Sequence, residues 1–313
     1  MTVIPAPLPD VKDTPPPGRR FGRAAKESTD PGGGQGSATL PVKAILVIVC
    51  LVWLIPVVGT LITSFRPAED ANSSGWWTIF KSPASLTKLT LANYHDALSG
   101  HGMGDAFVNS LAITLPATFI PIMIAAFAAY AFTFMKFPFR DTLFVLIISL
   151  LIVPNQVAFV PLLKLYGSLH LTGTFAAAWL AHAGFGMSLA IYILRNYMST
   201  LPKEIIESAK VDGASHFTTF WRLIVPMSIP ALASFAIFQF LWVWNDFLVA
   251  LVFVGSGDSQ PLTIALSQLV GQQGQGWQLI TAGGFFTMIV PLAVFLSLQR
   301  FFIRGLTAGS VKG

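Results

Sequence analysis

The chain has 313 residues, of which 54% are hydrophobic and 11% charged, against roughly 25% charged in an ordinary soluble domain. That deficit excludes a typical water-soluble globule and calls for a lipid-facing surface. The formal net charge of +5 does not indicate nucleic-acid binding, because the basic residues stand singly between apolar stretches and form no patch interleaved with aromatics.

Residues 1–41 are rich in Pro and Gly, with Pro15, Pro16, Pro17 and Gly32, Gly33, Gly34 in short runs. Such a segment cannot bury a core and reads as a disordered cytoplasmic tail. A secretory signal would place its apolar region nearer the start and end it at a small-residue cleavage site, so the first apolar run reads as a retained membrane anchor. Cys50 lies in that run as the single cysteine. It therefore offers no intrachain disulfide and no Cys-rich metal site.

A helix needs about 20 apolar residues to cross a bilayer. Six stretches qualify: Ala44–Phe65, Phe107–Phe134, Leu143–Leu163, Thr174–Leu194, Leu223–Val254 and Trp277–Gln299. Across them Asp246 is the single formal charge. If the amino terminus is cytoplasmic, fifteen of the 19 Lys and Arg residues fall on that side, leaving Arg66, Lys81, Lys88 and Lys164 outside. The positive-inside bias therefore puts both termini of a multi-pass membrane protein in the cytoplasm. The longest external loop, from about Arg66 to Ala106, holds Trp76 and Trp77 at the expected headgroup level.

Prolines 116, 121, 154, 161, 226, 230 and 291 lie in or beside the apolar runs. Each removes a backbone donor and is expected to kink or end a helix. In lipid such breaks survive only where protein or a water-filled cavity satisfies the freed groups. Several broken helices suggest a path through the protein; the alternative is that Pro is simply commoner in membrane helices.

Between spans four and five the chain reads Leu-Pro-Lys-Glu-Ile-Ile-Glu-Ser-Ala-Lys-Val-Asp-Gly-Ala-Ser-His from Leu201 to His216. Pro202 suits a first helical turn, and Glu204 complements the positive helix end. Leu201, Ile205 and Ala209 share one face, and Gly213 supplies a stop or sharp turn. His216 to Arg222 then start a second helical piece, so the spacing predicts a helix, a turn and a helix at the membrane surface. An ordinary amphipathic linker would look similar. The small residues Ser208 and Ala209 beside Gly213 would also let another protein's surface come close.

Glu207-Ser208-Ala209, Gly213 and Leu223-Ile224-Val225-Pro226 resemble the Glu-Ala-Ala loop of ABC importer permeases, with Ser208, Leu223 and Val225 as conservative departures. The resemblance implies an all-α membrane protein of the type I importer permease kind, with six transmembrane helices and a cytoplasmic coupling helix. Its domains would be a tail (1–41), a permease domain (42–304, with the coupling loop at 198–222) and a carboxyl-terminal tail (305–313). The implied ATPase-coupling residues are Glu204, Glu207, Ser208, Ala209, Asp212, Gly213 and Pro226. Asn109-Ser110, Tyr130-Ala131-Phe132, Pro154 with Gln156, Trp244-Asn245-Asp246-Phe247 and the ending Gly305 to Gly313 are similar to the smaller maltose-type permease, which implies carbohydrate uptake. By that resemblance Gly305, Gly309, Lys312 and Gly313 would touch the ATPase. The implied partners are a second homologous permease, a dimer of cytoplasmic ATPase subunits, an extracytoplasmic sugar-binding protein, the sugar and membrane lipid.

Candidate residues for the translocation path are Gln156, Gln239, Trp244, Asn245 and Asp246. An intramembrane carboxylate marks function by default because burying its charge is costly, and with Trp242 and Trp244 it resembles a sugar-binding mixture. Alternatively Asp246, about 30 Å along the helix from Pro226 at 1.5 Å per residue, reaches the outer interface and plays a structural part. Gln156 and Gln239 line the path or bond a neighbouring helix, and His182 reads as a packed or hydrogen-bonded histidine. The Gly and Gln cluster from Gly271 to Gly276 lacks a Gly-Lys-Ser or Gly-Lys-Thr ending and reads as a surface turn.

No Walker loop, thiol–base pair or metal-ligand spacing is present in the sequence, so no catalytic or metal residue is expected. ATP and Mg would be bound by the partner ATPase and no cofactor by this chain. The resulting expectation is a permease subunit of an ATP-driven, binding-protein-dependent importer of a sugar or oligosaccharide working by alternating access. An ion-coupled secondary transporter would instead show inverted repeats and ionisable midplane residues. A permease for another solute, such as a glycerol phosphate ester, and a membrane assembly or signalling component are further alternatives.

Overall fold

The computed structural model describes residues 40–81, 84–269 and 276–307. The expected tail over residues 1–39, most of the Gly and Gln cluster and the last six residues, including Gly309, Lys312 and Gly313, lie outside the described residues. By internal contacts the chain falls into two units, Met1–Val52 and Trp53–Gly313. The described part of the first unit, from Leu40 on, is wholly helical.

The described residues contain helices and no strand. Five helices are long and apolar enough to cross a membrane: Leu40–Phe65, Met103–Phe134, Phe175–Met198, the run His216–Asn245 and Trp277–Gln299. They correspond to spans one, two, four, five and six of the sequence.

Span three takes another form. Arg140–Ile152 and Asn155–Ser168 meet at a bend of 97°. Val153 is extended, with φ −78° and ψ 122°, because the Pro154 ring disfavours helical geometry in the residue before it. Arg140–Ile152 alone would extend only about 20 Å, short of the roughly 30 Å hydrocarbon core.

Most other prolines do not break their helices. Pro116 and Pro121 lie inside Met103–Phe134, Pro230 inside Val225–Asn245 and Pro291 inside Trp277–Thr307. Pro226 stands in the first turn of Val225–Asn245, directly after a π turn over Phe220–Ile224. The wider turn falls where proline has no N–H to offer the preceding turn.

Span five is also shorter than its apolar run. It ends at Asn245, and a separate short helix, Leu248–Phe253, follows. The Asp246 carboxylate accepts from the backbone N–H of Val249 at 2.8 Å and Ala250 at 3.1 Å. A polar residue whose side chain can cap a new helix ends the old one. At the other end of the chain, the last helix runs to Thr307, past the boundary expected at residue 304, and carries Gly305 within it.

The most extensive helix pair is spans two and four. Small buried residues share clusters there: Ala117 of span two with Ala178 of span four, and Ala125 and Ala129 with Ala190. Small side chains let backbones approach closely in lipid, where association rests on packing rather than on water exclusion. Trp179 of span four donates its indole N–H to the Ala112 carbonyl of span two at 2.9 Å. Span five lies against both, and span six against span five.

The carboxyl-terminal end of span one would leave carbonyls unpaired. Asn93, 5% exposed, donates its side-chain amide to the carbonyls of Ser64 at 2.9 Å and Arg66 at 2.8 Å. The Thr90 N–H bonds the Phe65 carbonyl at 2.8 Å. Asn93→Ala removes two of these bonds from a buried site and is expected to cost about 1–3 kcal/mol. A lowered thermal unfolding midpoint of the purified complex checks this, and an unchanged midpoint would show that water replaces the amide.

Candidate functional site

The segment after span four folds as helix Lys203–Val211, a turn, helix His216–Thr219 and the π turn into span five. Ile206 and Ala209 are buried, Leu201 and Ile205 are half-buried, and Glu204, Glu207, Ser208 and Asp212 are exposed. The one-sided apolar pattern has thus folded onto a neighbour, leaving an acidic and polar face open.

That neighbour is the membrane domain itself. Ile206 belongs to one hydrophobic cluster with Ala125, Ala129 and Tyr130 of span two, Leu194 and Met198 of span four, and Phe220 and Ile224 at the foot of span five. Phe127 of span two stacks on Phe220 with centroids 4.4 Å apart. The Tyr130 hydroxyl lies 2.8 Å from His216 Nδ1, and the Tyr197 hydroxyl donates to the Met227 carbonyl at 3.2 Å.

The turn is fixed by two devices. Gly213 has φ +75°, a left-handed conformation that glycine adopts without a Cβ penalty. The Gly213 N–H bonds the Lys210 carbonyl at 3.0 Å and the Ala214 N–H bonds the Ala209 carbonyl at 2.9 Å, the double closure of a Schellman motif. Ser215 then caps the next helix, accepting from the Thr218 N–H at 3.2 Å. Pro226 is exposed at the start of span five, two residues beyond the π segment. The expected coupling residues are therefore gathered on one element and its junction with span five.

The expected path residues are not gathered in this way. A cavity of about 430 Å³ opens at the bend of span three, and its wall includes Pro154, Asn155, Gly186, Ser188, Gln239 and Trp242. Its lining contains no Asp, Glu, Lys, Arg or His. Of the sequence candidates, Gln239 belongs to this wall. Gln156 is exposed on the short turn Asn155–Ala158 and outside the lining, where its neighbour Asn155 stands instead.

Trp244 is 2% exposed and packs elsewhere. It stacks on Phe240, meets Phe107 edge-on, and donates its indole N–H to the Thr287 carbonyl at 3.1 Å. Asn245 is exposed and donates back to the Leu241 carbonyl at 2.7 Å. Asp246 caps Leu248–Phe253, and its Oδ2 lies 3.8 Å from His182 Nε2, beyond a good hydrogen-bond length. His182 is 2% exposed and sets its ring edge against Trp242.

Gln239 is fully buried and joins three spans. Its amide nitrogen donates to the Ala117 carbonyl of span two at 3.2 Å and the His182 carbonyl of span four at 3.4 Å. Its Oε1 has no partner among the described residues. A Cβ on Gly186 would lie 2.6 Å from Oε1 and 2.9 Å from Nε2, so glycine is what admits the amide there. Neither Asn155 nor the Gly186–Gln239 pairing was drawn from the sequence. An asparagine directly after a helix-breaking proline in an apolar run was the available signal for the first; the second is a contact across two helices that spacing does not encode.

Residues 121–308 match the family described as binding-protein-dependent transport system inner membrane component. The chain belongs to that family. Among similar proteins is an osmoprotective compounds uptake permease protein of Synechocystis sp., 56% identical over 274 residues that cover 87% of this chain and 92% of the relative. An alpha-glucoside transport system permease protein of Rhizobium meliloti is 53% identical over 258 residues, covering 80% of this chain and 68% of the relative. In fold the permease is similar to a chain of a bacterial ABC transporter involved in the import of the acidic polysaccharide alginate, with a TM-score of 0.71 at 18% identity, covering 84% of this chain and 95% of that one. The architecture is that of an ABC importer permease with an all-helical membrane domain, and the protein is a component of the inner membrane.

Gly186→Ala in this permease is expected to push the Gln239 amide from its place and break its bonds to spans two and four. The cost should be about 1–3 kcal/mol, read as a lowered unfolding midpoint. Gly184→Ala, where nothing lies within 4 Å of the added Cβ, should leave the midpoint unchanged. Equal effects of the two changes would dissociate the cost from Gln239.

Proposed function

We propose that this chain is one of two permease subunits of an ATP-driven importer, with both termini in the cytoplasm and Leu201 to Arg222 gripped there by a dimer of ATPase subunits. The observation that carries this reading is the docking of Ile206 into the foot of the bundle, with Ala209 buried beside it in the same helix and Glu204, Glu207 and Ser208 left exposed. A helix held in that manner passes a push on its polar face to spans two, four and five together. ATP and Mg belong to the partner ATPase, whose closure moves the coupling helices and switches the cavity between inward-facing and outward-facing states. In the same proposal Gly305, Gly309, Lys312 and Gly313 are contact residues for the ATPase subunits.

The solute in this proposal is a neutral glycoside or small oligosaccharide delivered by an external binding protein. The uncharged cavity wall supports it, with Trp242 offering an aromatic face and Asn155 and Ser188 offering hydrogen bonds. A glycerol phosphate ester would meet no Lys, Arg or His on this wall, and burying an unpaired anion is costly. The relative named for alpha-glucoside transport supports a glycoside. In this arrangement Gln239 ties the spans that line the path, while Trp244, Asn245 and Asp246 hold its outer end in shape.

Glu207→Lys and Gly213→Val should each lower substrate-stimulated ATPase activity of the reconstituted complex by about tenfold, equivalent to roughly 1.4 kcal/mol of lost coupling contact, with membrane insertion intact. Removal of Gly305 to Gly313 should lower coupling in the same assay. Wild-type stimulation in all three would refute the coupling assignment.

Trp242→Ala should raise the KM for uptake of an alpha-glucoside by about tenfold, as loss of an aromatic anchor does, with the basal ATPase rate unchanged. Unaltered uptake would remove Trp242 from the path.

A further inference from the structure

A second polar cavity, of about 110 Å³, lies directly after span one and is lined by Arg66, Asp70, Ser74, Thr78, Ser85 and Lys88 among others. Arg66 is 5% exposed, yet it forms no ion pair with a carboxylate among the described residues. Its guanidinium is held instead by neutral acceptors. Nη1 donates to the Ser74 carbonyl at 2.8 Å; Nη2 meets the Asp70 carbonyl at 2.7 Å, Ser74 Oγ at 2.6 Å and Thr78 Oγ1 at 3.3 Å. A guanidinium has five N–H donors. Here Nε and one N–H of Nη1 have no acceptor among the described residues, and the ammonium of Lys88 lines the same space.

A buried cation without a counter-charge is costly, and although Asp70 lines the same cavity, no carboxylate among the described residues lies within 4.0 Å of the Arg66 guanidinium or the Lys88 ammonium. The site is built to hold an anion. Its depth identifies the source. Arg66 follows Phe65, the last residue of span one. The turn Trp76–Lys81 folds back along that span as far as Gly59, where a Cβ would lie 2.5 Å from Trp76 Nε1. Gly59 stands about 9 Å below the helix end at 1.5 Å per residue. Trp77 and Phe80, 58% and 73% exposed, are chain neighbours of the lining residues Thr78 and Ile79, at the depth where acyl chains give way to headgroups, Trp is favoured and Lys and Arg meet lipid phosphates.

We propose that Arg66 and Lys88 form a binding site for the phosphate group of a membrane phospholipid, seated against the outer end of span one. Arg66 donates through Nε and Nη1 to two phosphate oxygens, Lys88 closes the site from the solvent side, and the lipid's glycerol end lies over Trp77 and Phe80. The site rests on this chain being membrane-embedded, but its test does not depend on sidedness or on ATPase coupling, so it stands or fails apart from the proposed transport role.

The intact transporter complex, delipidated in detergent, is titrated with phosphatidylglycerol and bound lipid is counted by native mass spectrometry. Arg66→Gln also loosens the loop that Arg66 clamps, so Lys88→Gln carries the test, because the Lys88 ammonium makes no hydrogen bond or ion pair among the described residues. Phosphatidylglycerol affinity should fall about fivefold in Lys88→Gln, the loss of one basic contact at a lipid surface, and recover in Lys88→Arg. A diglucosyl lipid without phosphate should bind both proteins equally. The proposal is overturned if Lys88→Gln retains phosphatidylglycerol like the wild type, or if the phosphate-free lipid shows the same dependence. It is also overturned if millimolar inorganic phosphate displaces the lipid, which would make this a free-anion site. Weaker capture of the external binding protein by Lys88→Gln with lipid retention unchanged would make it a protein contact instead.

Discussion

Ile206 is where a polar surface helix becomes part of the membrane domain. It is 5% exposed among side chains from spans two and four and the foot of span five, and interiors of that density transmit displacement rather than absorb it. Phe220, 1% exposed, is the companion contact: it stacks on Phe127 and meets Tyr130 edge-on. Around this joint the backbone is held by hydrogen-bonded closures at Gly213 and Ser215. The two helical pieces are thereby joined by closed turns and packed onto the foot of the bundle.

The same economy of polar groups governs the rest of the bundle. Unpaired backbone and side-chain groups are expensive in hydrocarbon, and the structure satisfies most of them across spans: Trp179 to Ala112, Trp244 to Thr287, Gln239 to Ala117 and His182. Asn109 and Ser110 tie the start of span two to the chain before Leu262, with the Asn109 amide donating to the carbonyls of Asp258 and Gln260 and the Ser110 hydroxyl accepting from the Leu262 N–H at 2.8 Å. Thr118 Oγ1, His182 Nδ1 and Gln239 Oε1 are buried without a partner among the described residues. Such atoms mark places where a bundle is poised to rearrange or take in water.

Breaks in the helices follow chemistry more finely than proline count. Pro154 bends span three by 97°, whereas Pro116, Pro121, Pro230 and Pro291 ride inside continuous helices. The difference is local support. At Pro154 the preceding Val153 is free to go extended and the next residues restart as a 3-10 turn. Within span two the close seam with span four holds the helix through its prolines, and span five has neighbours on two sides.

Hydropathy and the scarcity of charge were enough to settle the class and to locate five of the six expected spans, because a lipid-crossing helix must be apolar along its whole length; the third, also apolar, is bent by 97° at Pro154, which hydropathy does not report. The surface segment was legible in part: Pro202 and Gly213 encode its helix and stop through local rules of capping, but of the expected face of Leu201, Ile205 and Ala209 only Ala209 is buried, and the side chain that docks is Ile206. Tertiary structure alone decided which polar residues face a cavity. Gln239 depends on the absence of a side chain at Gly186, Trp244 turned inward because Phe240 and Thr287 receive it, and Asp246 went to a helix start because the chain breaks there. Each of these is a meeting of residues distant in sequence, and periodicity along one helix carries no information about what the facing helix leaves open.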